Sequence, residues 1–384
     1  TVISGAPTAS RHVLVSTPDR HLVFFGTETK IGDSTTQDDM FIRFSTQEDI
    51  NTYTVTAENT AGTQRLAAGS KIMGAVKGRD AIYVWTDTSL FLMQFVGQPF
   101  TFSFQQAGTN CGLFGKNACI EVDGSAYWMS ENGFFRYSGE LSSMACLVED
   151  DVYDDINATS RDLINCGLNN LFGEINWFYC SAASDAVDKV VTYNYGESTR
   201  DRQVWTTGNV PRAAWQDSAV YDKPHATYYN PSDDASFDVT GNTDGSTIYY
   251  NQETGTDQIN AGGVVTPMIG TITSGDFDIT QKRSSAGTVV GMPDLRGDGE
   301  YIMRISKFIP DFISQTGNTT LTFATKEYPN STPASTSFSV GGSTTFQSTR
   351  LRGRSIQLTV ANTVASEDWK LGTFRLDIHP GGRR

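Results

Sequence analysis

From Arg11 onward, most of the chain consists of short apolar runs of period two, separated by turn residues. His12-Val13-Leu14-Val15 and His21-Leu22-Val23-Phe24-Phe25 flank Thr17-Pro18-Asp19; Phe41-Ile42-Arg43-Phe44 follows, then Tyr53 with Val55. Alternation of this kind marks strands with one buried face, and Pro, Asp and Gly supply the turns. Ala81-Ile82-Tyr83-Val84-Trp85, a turn at Asp87-Thr88-Ser89, and Leu90-Phe91-Leu92-Met93 predict a strongly apolar hairpin. Its shape returns at Ala126-Tyr127-Trp128-Met129, Glu131-Asn132-Gly133 and Phe134-Phe135-Arg136-Tyr137, with Trp128 43 residues after Trp85. Ile175-Asn176-Trp177-Phe178-Tyr179 and Val190-Val191-Thr192-Tyr193 repeat it with a longer turn. A second echo, 55 residues long, relates Asn110-Cys111-Gly112-Leu113 to Asn165-Cys166-Gly167-Leu168. One small sheet cannot bury both of its faces, so repeats of about 40–50 residues predict sheets stacked as the blades of a β-propeller. Four or five such units are expected before about residue 260, the last containing Ala213-Ala214-Trp215, Tyr228-Tyr229 and Ile248-Tyr249-Tyr250. A β-sandwich whose similarities arise by chance is the competing architecture.

Between Asn251 and Val264 the chain turns polar and Gly-rich, which predicts a boundary. The expected organisation is all-β: a propeller-like domain at 1–258, then a smaller C-terminal β-sandwich or barrel at 259–384. Strands of the second domain are expected near 268–272, 301–308, 321–323 and 338–340. Two more carry Ile356, Leu358 and Val360, and then Phe374, Leu376 and Ile378. Asp294-Leu295-Arg296-Gly297-Asp298-Gly299 reads as a tight turn. Pairing of the last two strands as an antiparallel hairpin would bring Arg350, Arg352 and Arg354 beside Arg383 and Arg384.

Charge makes that end of the chain conspicuous. The net charge is −14, yet residues 350–384 hold seven Lys or Arg against three Asp or Glu, so the remainder carries −18. A basic end on an acidic body suggests docking to an acidic partner, protein or nucleic acid. The 384 residues exceed one ordinary core, and 19% charged with 11% aromatic residues suits a turn-rich β protein. The apolar runs fall short of the roughly 20 residues of a membrane span. Thr1-Val2-Ile3-Ser4 lacks the basic and apolar segments of a signal peptide, and a processed or longer parent chain is expected.

Catalytic motifs are sparse. The five cysteines lack Cys-x-x-Cys spacing and read as small buried hydrophobes in a reducing compartment. His12, His21, His225 and His379 show no paired spacing, Gly69-Ser70-Lys71 lacks the upstream Gly of a phosphate loop, and Gly-x-Ser-x-Gly does not occur. The acidic run Glu149-Asp150-Asp151 and Asp154-Asp155 lacks the spacing of a calcium loop and reads as solvated surface, with a short helix expected at 160–164. The expectation is therefore no enzyme, no metal and no cofactor. The alternative is a carbohydrate-binding or glycoside-cleaving propeller, with 6 Trp and 15 Tyr to stack on sugars and acids for catalysis.

Three segments carry a resemblance: Arg350-Leu351-Arg352-Gly353-Arg354 before a strand, Asp368-Trp369-Lys370-Leu371-Gly372, and Leu376-Asp377-Ile378-His379-Pro380 leading to Gly381-Gly382-Arg383-Arg384. Together they resemble the C-terminal signature of the tail hub, nozzle or phage stabilisation proteins of short-tailed (podovirus-like) bacteriophages, over about a tenth of the chain. The resemblance implies a structural virion protein of the tail, made in the bacterial host cytoplasm. It further implies a homo-oligomeric ring of six copies below the head-to-tail adaptor, with tail fibre or spike proteins as neighbours. Genomic DNA would pass through its channel without sequence-specific binding. Six copies would carry about −84, and a wall of that sign repels phosphate and lets DNA slide. The candidate assembly interface comprises Arg350, Arg352, Arg354, Trp369, Arg383 and Arg384.

Overall fold

The computed structural model describes residues 3–17, 19–200, 202–219, 221–230, 246–259, 263–279, 301–328 and 330–382. The chain is all-β and divides into two compact units, Thr1–Glu253 and Thr254–Arg384, a few residues before the expected boundary at 258/259. Unit 1 is a succession of small antiparallel sheets in chain order. The first holds β1 (His12–Val15), β2 (Leu22–Phe25), β3 (Phe41–Phe44) and β4 (Gly62–Arg65); the second β5 (Ile72–Lys77), β6 (Ile82–Thr86), β7 (Ser89–Gly97) and β8 (Thr101–Thr109). The third is β9 (Cys119–Val122), β10 (Ser125–Ser130), β11 (Gly133–Tyr137) and β12 (Leu141–Met144). The fourth is β13 (Asn165–Asn169), β14 (Glu174–Tyr179), β15 (Lys189–Asn194) and β16 (Val204–Gly208). A three-stranded sheet follows, β17 (Ala214–Gln216), β18 (His225–Asn230) and β19 (Ser246–Asn251). The first strand of each sheet lies beside the first strand of the next, so the sheets succeed one another like blades.

The recurring tryptophans explain how the sheets hold together. Trp85, Trp128 and Trp177 each sit in the second strand of a four-stranded sheet, wholly buried. Their rings join one continuous core through sheets two to four: Trp85 and Trp128 lie 5.4 Å apart between centroids, and Phe134 lies 5.1 Å from Trp177. Indole N–H groups then reach back along the chain. Trp128 Nε1 donates to Cys111 O at 2.8 Å, Trp177 Nε1 to Ala118 O at 3.0 Å, Trp205 Nε1 to Ala145 O at 2.9 Å and Trp215 Nε1 to Leu168 O at 2.7 Å. A buried indole needs such a partner, and the carbonyl it chooses fixes one sheet on its predecessor.

Several sequence expectations for unit 1 are refined. Tyr53 and Val55 form no strand: Tyr53 plugs a loop against Leu22 and Phe24, Val55 is exposed, and β4 is the polar Gly62–Arg65 instead. The 55-residue echo joins unlike structures, because Asn110-Cys111-Gly112-Leu113 is a loop laid against the β6–β7 turn whereas Asn165–Asn169 is β13 itself. The two glycines share a reason all the same. A Cβ at Gly112 would lie 2.0 Å from Asp87 O, and one at Gly167 would lie 2.5 Å from the Trp215 ring. The acidic run coils into α1 (Glu149–Asp155), which buries Val152 and places three acids in its first turn, where the helix dipole favours them. The short helix expected at 160–164 is a 3₁₀ turn, Ala158–Leu163, capped by Asn157.

Unit 2 contains a two-stranded ribbon, β20 (Asp257–Ile259) with β21 (Val265–Pro267), and the strands β22 (Thr271–Thr273), β23 (Met303–Ile309), β24 (Phe312–Thr316), β25 (Asn318–Lys326), β26 (Ala334–Gly341), β27 (Gln347–Gly353), β28 (Ser355–Ala361), β29 (Asp368–Leu371) and β30 (Arg375–Pro380). These form sheets of order β22-β28-β25-β26, β27-β23-β30 and β24-β29. Met303, Ile305 and Phe308 from one sheet share a core with Leu321, Phe323 and Val360 from another, which makes the unit a sandwich. The expected terminal hairpin does not form. β28 pairs with β22 and β25, while β30 pairs with β23, whose other edge takes β27. Asp294–Gly299, which the sequence reads as a turn, lies outside the described residues.

Candidate interaction surface

Strand alternation builds the site. In β23, Met303, Ile305 and Phe308 point into the core and leave Arg304 and Lys307 exposed; in β27, Thr349, Leu351 and Gly353 are buried and Arg350 and Arg352 are exposed. The register sets Arg304 opposite Arg352 on one side and opposite His379 of β30 on the other. Directly opposed residues share a face with Cβ atoms about 5 Å apart, so a basic row crosses the three-stranded sheet. Arg350 extends it along β27, and a bulge at Ser306 turns Lys307 outward beside it.

Part of this charge is answered locally. Asp377 accepts from Ser306 Oγ at 2.7 Å and lies 3.3 Å from His379 Nε2 and 3.9 Å from Lys307 Nζ. The Ser306 hydroxyl, then His379 and Lys307, hold its carboxyl below the usual range. Arg375 lies 3.8 Å from Asp311. Arg304, Arg350 and Arg352 have no ion pair or side-chain hydrogen bond among the described residues, and these three are the uncompensated part of the face. At its rim a cavity of about 210 Å³ is lined by Ile302, Glu327, Tyr328, Arg352, Gly353 and Arg354, with the Arg354 guanidinium 6.0 Å from the Tyr328 ring centre.

Of the residues expected at an interface, Arg350 and Arg352 share this face and Arg354 lies at its rim. Trp369 belongs elsewhere, in β29, with its ring against Phe312 and its Nε1 donating to Asn362 Oδ1 at 3.3 Å. Arg383 and Arg384 lie outside the described residues. Sequence reasoning missed Arg304, the centre of the row. The available signal was its polar position between Met303 and Ile305 in a strand whose neighbours are also basic.

Catalytic chemistry finds little here. No cluster of three or more His, Cys, Asp or Glu able to hold a metal occurs among the described residues. Burial and the neighbouring Glu253 push the Glu174 carboxyl up, against a hydrogen bond from Asn194, while Asn169 Nδ2 donates to Glu253 Oε1 at 3.0 Å. That pair is the nearest thing to an acid–base couple. Around a cavity of about 250 Å³ lined by Asp151, Asp155 and Lys189, burial followed by Asp155, Asp188 and Asp151 pushes the Tyr179 phenol up to about 12.

Fold and surface together define an all-β chain of two units with an unpaired basic sheet face; no described helix is long and apolar enough to cross a membrane. No protein-family model matches the chain, and no curated protein does. Among solved structures it aligns with a chain described as a glycoside hydrolase over 98% of both chains, at 8% identity and a TM-score of 0.26. A score that low carries no argument about fold or chemistry.

Proposed function

We propose that this chain is a structural subunit of a short bacteriophage tail, a nozzle or hub ring around the path of the leaving DNA. The observation that carries the reading is that two of the three segments resembling the tail-hub signature, around Arg352 and around His379, fall on the strands flanking β23 that build the basic face. In this reading the blade-like sheets of unit 1 close around an axis, several copies form the ring, and the acidic wall keeps phosphate from sticking. The chain is not an enzyme and takes no metal.

The test is to purify virions, identify the chain among their proteins and image tails labelled with an antibody against it. Label at the tail, in a ring below the adaptor, is expected. Absence of the chain from purified virions overturns the reading. A second reading, glycoside cleavage, has in its favour that Glu174, its carboxyl pushed up by burial, neighbours Glu253, since such chemistry uses a pair of carboxyl groups. Glycoside turnover by the purified protein, lost in Glu174→Gln, would establish it.

A further inference from the structure

The geometry points to the bare face of the β27-β23-β30 sheet as a docking surface for the acidic unit 1 of a second copy of this chain. Arg304 is set directly opposite Arg352, and like charges in that relation destabilise a sheet. Asp377 answers Lys307 and His379, which leaves Arg304, Arg350 and Arg352 without an ion pair among the described residues, with Glu327 lining the same rim cavity as Arg352. A sheet that keeps this row has a use for it outside the unit.

The occupant follows from the charges available. Unit 2 holds 13 Lys or Arg against 11 Asp or Glu, which leaves 16 against 32 in unit 1. Unit 1 therefore carries −16 and unit 2 carries +2. On unit 1, the exposed Asp150, Asp151 and Asp154 of α1 make no ion pair among the described residues, and Lys189 is the cation lining the adjoining cavity. Every copy thus brings one unanswered basic face and one unanswered acidic side. Nucleic acid is the less suited polyanion, because it would answer only the basic face, whereas a second copy answers the basic face and the acidic side together. Arginine forks suit carboxylates at such a contact, and the cavity beside Arg352 and Tyr328 offers one carboxylate a partly enclosed seat. Exposed single pairs contribute little, so the contact acts through the desolvated cluster.

The inference rests on the several-copy assembly of the tail reading but not on its address, so the test uses the purified full chain away from any particle. Sedimentation of the parent in low salt should show self-association that weakens in high salt. The double variant Arg304→Glu with Arg352→Glu should associate at least tenfold more weakly while melting close to the parent, because it exchanges one opposed like-charged pair for another at exposed positions and leaves the buried residues of the sheet untouched. Mixing it with Asp151→Lys, Asp154→Lys should restore association between the two, although neither associates alone. A parent that stays monomeric in low salt overturns the inference, as does a double variant that associates like the parent. Salt-sensitive binding of a labelled DNA duplex by the parent, lost in the double variant and without self-association, assigns the face to nucleic acid and also overturns it.

Discussion

Glu28 shows what a single residue does in this fold. It is buried in the connection between β2 and β3, and its carboxylate accepts from the Thr8 amide and hydroxyl, the Ala9 amide at 2.9 Å and the Asp33 amide at 3.1 Å. Burial alone would raise its pKa, but these donors outweigh it and hold the group below its ordinary 4.5. A depressed value contributes stability above the unfolded pKa and loses it as pH falls through the folded one. Thermal melting between about pH 7 and pH 3 should therefore fall steeply on the acid side, and Glu28→Gln should melt lower at neutral pH with a shallower acid limb. The tryptophans allow a matched comparison. Trp128 Nε1 donates to Cys111 O, whereas Trp85 Nε1 is buried without a partner among the described residues. Trp128→Phe leaves that carbonyl unanswered and should cost about 1–3 kcal/mol more than Trp85→Phe in urea unfolding. Equal losses would mean that the indole bonds contribute nothing. The same residues show why much of unit 1 is legible in sequence: large apolar side chains at strand spacing, with Gly or Asp turns between, are signals carried by neighbours in the chain.

At the scale of elements, legibility ends where pairing becomes distant or burial falls on unexpected residue types. β4 has only Gly62 inside, and β27 buries Thr349 and Gly353 beside Leu351, so neither shows a conventional apolar pattern. The terminal strands alternate clearly as sequence, but nothing local says that β30 will choose β23 rather than β28. This one misassigned pairing moved the arginines from the edge of a hairpin to the face of a sheet. The correct face yields its own prediction. Arg304→Thr replaces the central charge of the row with a strand-favouring residue and should stabilise the isolated chain in low salt by about 0.2–1 kcal/mol in urea unfolding. The gain should shrink in high salt, where the repulsion is already screened. A loss of stability in low salt would show that the row is answered within the unit.

At the scale of the whole molecule, the two units have separate cores. Among the described residues, the cluster around Met303, Phe308 and Phe323 draws on unit 2 and the tryptophan core on unit 1. A fragment of residues 254–384 should fold alone, giving strand-dominated dichroism and a cooperative melt, and a broad or absent transition would refute independent folding. The sequence signal for a boundary here is a Gly-rich polar stretch that interrupts the alternation between Asn251 and Val264. The candidate site was half legible, because charge composition drew attention to Arg350 and Arg352 while only three-dimensional pairing added Arg304 and set Trp369 apart.

The four indole bonds of unit 1 all run in one direction, from a tryptophan to a carbonyl made earlier: Trp128 to Cys111, Trp177 to Ala118, Trp205 to Ala145 and Trp215 to Leu168. A ribosome releases the chain in that same order, N-terminus first. Sheets three, four and five thus each emerge with the acceptor for their latch already synthesised. Unit 1 has the wiring of a structure built sheet by sheet during translation, in which an interrupted chain keeps every latch whose tryptophan has been made.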